Sequence, residues 1–217
     1  MKAKVDRLRI TEIFYSLQGE SRTSGCPTVF IRLTGCPLRC TYCDTEYAFT
    51  GGDWWSIDEI VLKVQEYGAR FVTVTGGEPL AQPDCLVLLD RLCELGLEVS
   101  LETSGALSIS GVNERVSCVV DVKTPDSGEC DKNLVENYAQ MSGKDQLKFV
   151  IGSREDYEWS KGYLAKYKLL DICEVWFSCS FEDIKPVDLA DWILRDRLQV
   201  RFQLQLHKLL WADEPGR

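Results

Sequence analysis

Three cysteines lie close together in one short segment, Cys-Pro-Leu-Arg-Cys-Thr-Tyr-Cys, as Cys36, Cys40 and Cys43. This C-x3-C-x2-C spacing lets one loop place three thiolates around a single metal centre. A structural zinc site needs a fourth ligand, and none is nearby, because the sole histidine, His207, is far along the chain. Three thiolates on a 4Fe-4S cluster leave one iron open to bind a substrate or cofactor. The alternatives are a zinc site and buried, inert cysteines.

A second candidate is an arginine in an otherwise apolar run. Arg32 lies in the segment Phe-Ile-Arg-Leu, which reads as a buried strand. A buried guanidinium needs a partner, and a substrate carboxylate is a good bidentate one. A structural ion pair with Glu20 or another carboxylate explains the same residue equally well.

Composition and charge exclude several classes of protein. Acidic residues outnumber Lys and Arg by 34 to 25, and the net charge of −9 disfavours general nucleic-acid binding. Ten cysteines in 217 residues fall below the roughly 8–10% of a disulfide scaffold, which favours reduced thiols or a metal site in the cytoplasm. No apolar run approaches the ~18 residues of a membrane span, and the charged residues 1–9 are unlike a signal peptide.

The elements that must position these groups alternate along the chain. Near-continuous apolar runs predict buried strands, at 28–33, 70–75, 97–101, 118–122, 147–151, 174–177 and 200–204. Helical patterns lie between several of them, at 56–68, 83–95, 131–141, 155–167 and 187–195, while 108–114 is ambiguous. The alternation predicts an α/β fold with a parallel sheet and right-handed crossovers. The absence of a repeat or a long linker predicts one domain, 1–217.

Polar residues follow several predicted strands, at the ends where parallel sheets bind ligands. In Thr-Gly-Gly-Glu-Pro, at 75–79, the glycines permit close backbone approach and Glu78 can accept a hydrogen bond from an ammonium group. Taken alone, this run is more typical of an ordinary turn. Glu102 and Ser104 end the next strand, either as ligand contacts or as a polar strand exit.

The joint pattern resembles the radical S-adenosylmethionine (SAM) superfamily, whose open iron binds the amino and carboxylate groups of SAM. Tyr42, just before the last cysteine, fits the aromatic position of its motif. The segments Leu-Gln-Gly-Glu, Phe-Ile-Arg-Leu-Thr-Gly-Cys, Cys-Asp-Thr, Thr-Gly-Gly-Glu-Pro, Leu-Glu-Thr-Ser-Gly and Gln-Leu-His-Lys-Leu-Leu-Trp are similar to the 7-carboxy-7-deazaguanine synthase family. The resemblance runs from about residue 10 to residue 211 and is looser after Lys123.

This resemblance implies a fold, a reaction and partners. The fold is an incomplete (partial) TIM-like β/α barrel of the radical SAM type. The reaction is the ring contraction of 6-carboxy-5,6,7,8-tetrahydropterin to 7-carboxy-7-deazaguanine with loss of ammonia, in 7-deazapurine and queuosine biosynthesis. The implied cofactors are a 4Fe-4S cluster, SAM and Mg²⁺. The implied partners are the pterin substrate, a flavodoxin or ferredoxin reductant and a second copy in a homodimer.

The resemblance also implies roles for particular residues. The cluster ligands are the three cysteines, and Thr45 is the magnesium position. The SAM contacts are Tyr42, Asp44, Gly77, Glu78, Glu102, Ser104, Lys123 and Ser178. The substrate contacts are Leu17, Gln18, Gly19, Glu20, Arg32, Thr75, His207 and Arg217. An N-terminal strand or loop at about 10–21 carries part of the substrate site, and a segment at about 200–217 closes over it. Asp121 departs from the family's Ser-x-Lys pattern, so only Lys123 carries over there.

Two other functions remain open. A radical SAM activase, which generates a glycyl radical on a protein partner, shares the cluster and the Gly-Gly-Glu run but gives Arg32 no role. A metal-stabilised binding module or electron carrier shares only the metal site.

Overall fold

The computed structural model describes residues 6–180, 183–212, 214 and 216. Nine strands lie within this part of the chain: β1 (Arg7–Leu17), β2 (Pro27–Leu33), β3 (Asp53–Ser56), β4 (Phe71–Gly76), β5 (Glu98–Thr103), β6 (Ser117–Asp121), β7 (Gln146–Ile151), β8 (Glu174–Cys179) and β9 (Arg201–Gln203). The α-helices are α1 (Ile57–Tyr67), α2 (Cys85–Glu94), α3 (Arg154–Tyr167), α4 (Pro186–Asp196) and α5 (Leu206–Trp211).

The nine strands form one sheet in the order β3-β1-β2-β4-β5-β6-β7-β8-β9. From β2 to β9 every neighbouring pair is parallel, whereas β1 pairs antiparallel with both β2 and β3. Within the described residues, β3 and β9 are the two edges, so the sheet is not closed. The expected partial β/α barrel is therefore the observed architecture.

The parallel strands have two chemically different faces, because successive side chains point to opposite sides of a strand. The outer face packs in the hydrophobic core with the helices and is formed by Val29, Ile31, Val72, Val74, Leu101, Val120, Leu147, Phe149, Val175 and Phe177. The inner face carries the intervening positions: Phe30, Arg32, Thr73, Thr75, Glu102, Val119, Asp121, Lys148 and Val150. The sheet is thus apolar on one side and largely polar on the other.

Local signals set the helix ends. Ser56 and Glu59 form a complete capping box at the start of α1, and Gly68 ends the helix with a φ of 63°. At α3, the Ser153 side chain accepts a hydrogen bond from the backbone N–H of Asp156. The predicted boundaries of these two helices agree with the structure.

One helix prediction is wrong. The segment 131–141 is not an α-helix but contributes to short 3₁₀ turns, Cys130–Lys132 and Val135–Gln140. Asn137 explains the difference, because its buried amide donates to the carbonyls of Gly105 and Leu107 and accepts from the N–H of Ile109. These bonds tie the segment to the loop that follows β5. The ambiguous segment 108–114 forms no helix.

The helices of the described chain are all too short or too polar to cross a membrane.

Candidate functional site

A cavity of about 310 Å³ lies on the inner face, at the carboxyl ends of the parallel strands. Most of the side chains predicted from the sequence line it. They are Leu17, Gln18, Gly19, Glu20, Arg32, Cys36, Cys40, Tyr42, Cys43, Asp44, Thr45, Thr75, Gly77, Glu102, Ser104, Lys123 and His207. The structure therefore brings together residues from six strands or strand ends, as expected for a ligand site of a parallel β/α fold.

The cysteine loop follows β2 and is held in place by backbone contacts. The N–H of Gly35 donates to Ala48 O at 2.8 Å, and that of Thr41 donates to Ser127 O at 3.1 Å. Arg39 donates to the carbonyls of Cys36 and Leu38 and stacks on Phe49. Its guanidinium thus braces the loop.

The three thiols of the cysteine loop, Cys36, Cys40 and Cys43, are each partly exposed and line the same cavity. Burial raises the pKa of all three thiols, and Lys123 opposes that rise. Cys179 and His207 line this cavity as well, and in the described chain no group of three or more His, Cys, Asp and Glu side chains is arranged around a single ion. Three thiolates that hold a 4Fe-4S cluster leave one iron open, which is the arrangement that the resemblance implies for this loop.

Two glycines let the β4 end pack directly against this loop. A Cβ on Gly76 would lie 2.2 Å from the carbonyl oxygen of Leu33. A Cβ on Gly77 would lie 2.2 Å from the carbonyl oxygen of Gly35 and 2.9 Å from the Cβ of Cys36. Any side chain would force the two segments apart, so the glycines set the distance between the cysteine loop and β4.

Glu78 does not reach the cavity. Its side chain is fully buried, and its carboxylate accepts hydrogen bonds from Thr103 Oγ1 at 2.9 Å and from the N–H groups of Ser104 and Leu80 at 2.7 and 2.9 Å. The Ser104 hydroxyl donates to it as well. Glu78 therefore positions Ser104, which does line the cavity.

Glu102 lies at the centre of the inner face. It accepts hydrogen bonds from Thr75 Oγ1 at 3.0 Å and from Gln18 Nε2 at 3.3 Å. Burial raises the pKa of Glu102 and outweighs the opposing effect of Lys148. This carboxyl group can therefore hold a proton in the pocket more readily than an exposed glutamate can.

Arg32 is paired, and its partner is Glu12 of β1. Arg32 Nε donates to Glu12 Oε1 at 2.7 Å, and the Tyr47 hydroxyl donates to the same oxygen at 2.8 Å. The structural ion pair considered above therefore exists, with Glu12 rather than Glu20. In the described part of the chain, this ion pair uses only the Nε atom of Arg32. Because Arg32 also lines the cavity, it can pair with Glu12 and still bind a substrate carboxylate.

A lysine that the sequence did not single out connects two parts of the pocket. Lys148 Nζ lies 2.7 Å from Glu20 Oε2 and 3.8 Å from Asp121 Oδ1. Asp121 Oδ2 in turn lies 2.9 Å from Lys123 Nζ. Burial alone would lower the pKa of Lys148, but the carboxylates of Asp121, Glu20 and Glu102 raise it well above its usual value.

Asp44 and Thr45 provide the oxygen atoms expected of a magnesium position. Thr45 Oγ1 donates to Asp44 Oδ1 at 2.7 Å, and both residues line the cavity. Burial opposes ionisation of Asp44, but its hydrogen bond from Thr45 and the charge of Lys208, 3.9 Å away, lower its pKa. An ionised carboxylate beside a hydroxyl fits a hard cation, with further oxygen ligands needed to complete its coordination.

The chain after β9 folds over the substrate side of the pocket. The N–H of Leu206 donates to Gly19 O at 3.0 Å, and Gln205 Nε2 donates to Glu20 Oε1 at 2.7 Å. His207 packs against Gly19 so closely that a Cβ there would lie 2.1 Å from its Nδ1. Burial lowers the pKa of His207. Ser178 is buried in β8 but does not line the cavity, and Arg217 lies outside the described residues.

Sequence reasoning missed several polar residues of this site: Glu12, Tyr47, Lys148 and Gln205. Asp121 was noted beside Lys123, but no role was assigned to it. One signal was available, because a charge at the middle of an apolar strand needs a partner. That argument was applied to Arg32 but not to Lys148, which stands between Leu147 and Phe149 in β7.

An open β/α barrel with a three-cysteine loop after its first parallel strand is the architecture of radical SAM enzymes, and the model of the Radical SAM superfamily matches residues 30–114. The 7-carboxy-7-deazaguanine synthase of Chlorobaculum tepidum is 44% identical over 95% of this chain and 96% of its own. That of Koribacter versatilis is 42% identical over 95% and 98%. The crystal structure of QueE from Escherichia coli matches with a TM-score of 0.76 at 25% identity, over 93% of this chain and 95% of that one. The chain belongs to the 7-carboxy-7-deazaguanine synthase family.

Membership confirms three predictions made from the sequence: the family, the partial-barrel fold and the classification as a radical SAM lyase. It also implies a 4Fe-4S cluster and SAM as cofactors.

Proposed function

We propose that the chain converts 6-carboxy-5,6,7,8-tetrahydropterin to 7-carboxy-7-deazaguanine with release of ammonia, a step of 7-deazapurine and queuosine biosynthesis. The observation that carries this proposal is the inner-face cavity. It combines three cysteine thiols on one side with Arg32 and a set of amide and carboxyl groups on the other. A bicyclic substrate with a carboxylate has matching groups for both the arginine and the polar wall.

The residues divide between the two ligands. Cys36, Cys40 and Cys43 would hold the cluster, and when bound, the cluster and SAM supply the one-electron chemistry that starts the ring contraction. The SAM side is formed by Tyr42 and Asp44 of the cysteine loop together with Gly77, Ser104 and Lys123, which line the same cavity. Glu78 acts there through Ser104.

The substrate side is formed by the loop after β1 and the strands next to it. Arg32 binds the substrate carboxylate while Glu12 and Tyr47 fix its guanidinium. Gln18 and Thr75 each donate a hydrogen bond to Glu102. These three residues present donors and acceptors to the pterin ring, which moves Glu102 from the expected SAM contacts to the substrate side. Leu17, Gly19, Glu20 and His207 complete this wall, and the segment at 205–207 excludes water from it.

Several further properties belong to the same proposal. Mg²⁺ binds at Thr45 beside Asp44, a flavodoxin or ferredoxin delivers the electron, and the enzyme works in the cytoplasm as a homodimer. Residues 1–217 act as a single radical SAM domain.

The test is turnover by the anaerobically reconstituted protein with carboxytetrahydropterin, SAM, Mg²⁺ and a reductant. We expect 7-carboxy-7-deazaguanine by mass spectrometry and by its ultraviolet absorbance. Arg32→Lys should raise the KM for the pterin by about tenfold or more, because a lysine cannot replace the planar guanidinium fork. Arg70→Lys is the matched control, since Arg70 is exposed, pairs with Glu98 and does not line the cavity. Absence of the deazaguanine product from the wild-type reaction would refute the proposal.

A further inference from the structure

The inner face holds a compact group of five ionisable side chains, Glu20, Glu102, Asp121, Lys123 and Lys148, called here the inner charge cluster. All five line the cavity. The side chains of Lys148, Glu20 and Asp121 are only 15%, 13% and 20% exposed. Charges with so little solvent must compensate one another, so the position of each depends on the others.

Lys148 is the member that joins the two halves of this cluster. On one side its ammonium contacts Glu20, directly after the Gln18–Gly19 segment. On the other side it contacts Asp121, which holds Lys123. Asp121 and Lys148 are register partners in the parallel pair β6–β7, so the backbone fixes this distance.

Glu20 fixes the conformation of the Gln18–Glu20 loop, which follows β1. Its carboxylate binds Lys148 Nζ through one oxygen and Gln205 Nε2 through the other, each at 2.7 Å. Its backbone N–H donates to Gln18 Oε1 at 3.2 Å. Without the Lys148 charge, the Glu20 carboxylate would keep only the neutral amide of Gln205 as its side-chain donor in the described chain. The carboxyl groups of Asp121 and Glu102 would still lie in the same cavity.

We propose that Lys148 is a positioning residue for the pterin: its bridge between Glu20 and Asp121 holds the Gln18–Glu20 loop at the substrate and keeps the inner charge cluster from repelling an anionic ligand. This inference rests on the proposed function, since it assigns Lys148 a role in binding that same substrate. With Lys148, two ammonium groups face three carboxyl groups in the cluster. Without it, the cluster would hold one ammonium group, that of Lys123, which pairs with Asp121.

The experiment compares Lys148→Met with Lys148→Arg in the reconstituted holoenzyme. Lys148→Met should raise the KM for carboxytetrahydropterin by about tenfold or more, with unchanged iron and sulfide content. Lys148→Arg keeps the charge and should restore the KM to within about threefold of wild type. Lys63→Met is the control, because Lys63 is on the surface of α1, where it pairs with Glu66 and lies over the Tyr67 ring, and it does not line the cavity.

A purely structural role predicts another result: Lys148→Met would lower the melting temperature but leave the KM unchanged, and that result would overturn the inference. Equal impairment of Lys148→Arg and Lys148→Met would overturn it as well. If Lys148→Met does not fold, Lys148→Gln removes the charge but keeps a polar side chain and allows the same KM measurement. A raised KM there supports the inference, and an unchanged one contradicts it. Failure of the proposed function is distinguishable from failure of this inference, because wild type would then form no deazaguanine.

Discussion

The two faces of the parallel sheet differ in chemistry, although the residues that form them alternate along the same strands. Leu101 and Glu102 are neighbours in β5, yet Leu101 is fully buried in the hydrophobic core and Glu102 lines the cavity. In β7, Leu147 and Phe149 face the helices, whereas Lys148 faces the pocket. The outer face therefore supplies the stability that allows the inner face to keep charged groups with little access to solvent.

The largest expected difference separates cysteines that line the cavity from cysteines in the core. Cys36→Ala should abolish cluster assembly and activity, because two thiolates cannot hold the cluster in place. Cys85 is fully buried in α2, and burial raises its thiol pKa to about 12. Cys85→Ala should keep the full iron and sulfide content and change the free energy of unfolding by only about 1 kcal/mol. Anaerobic metal analysis and denaturant titration measure both. Cluster loss in Cys85→Ala would break the division between the two sets.

A smaller contrast is expected within β5. Leu101→Ala should reduce the free energy of unfolding by about 2–5 kcal/mol, because it opens a cavity in the outer-face core. Glu102→Gln should change the free energy of unfolding by less than about 1 kcal/mol, since the amide still accepts from Thr75. It should nevertheless reduce kcat/KM by about tenfold or more. Urea unfolding and steady-state kinetics test the pair. Similar losses of stability in both variants would show that the faces are not separable.

The smallest expected effect is the pH dependence of the free energy of unfolding. Lys123 and Lys148 outweigh burial and lower the pKa of Asp121 below its usual 3.8, so its contribution to stability is present above that pH and lost as the pH falls through the folded pKa. Burial raises the pKa of Glu102 above 4.5, so it disfavours the folded state increasingly as the pH rises past that value.

The destabilisation caused by Asp121→Asn should therefore shrink in acid, whereas any stabilisation from Glu102→Gln should grow between about pH 4.5 and neutrality. Urea titrations of both variants and of wild type from about pH 3 to neutrality provide the measurement. If the free energy of unfolding changed with pH in the same way in both variants, the directions assigned to the pKa shifts of Asp121 and Glu102 would be contradicted.

The outer face is the part of the fold that sequence patterns predict well. Apolar runs locate all seven parallel strands to within two residues at each end. Those runs also predicted strands buried on both faces, but they did not show that alternate positions such as Asp121 and Lys148 line a polar cavity. The failed helix at 131–141 has a similar cause, since the buried contacts of Asn137 depend on a loop about 30 residues earlier.

The site was predictable where chemistry is confined to one short segment, as in the cysteine loop and the Gly-Gly-Glu run. It was not predictable where a partner comes from a distant strand. Glu12 pairs with Arg32 across β1 and β2, and Lys148 pairs with Glu20 over 128 residues. Such pairs depend on strand order and register, which periodicity alone does not determine.

The contact between Gln205 and Glu20 has a consequence for the order of assembly, because 185 residues separate its two partners. During synthesis, the cysteine loop and the strands that frame it leave the ribosome long before residues 205–207 can reach Gly19. Closing so long a loop adds little entropy cost, since each doubling of length costs only about 0.6 kcal/mol. The pocket is therefore completed last, and the cysteine loop stays open to cluster delivery until the final strand and helix are in place.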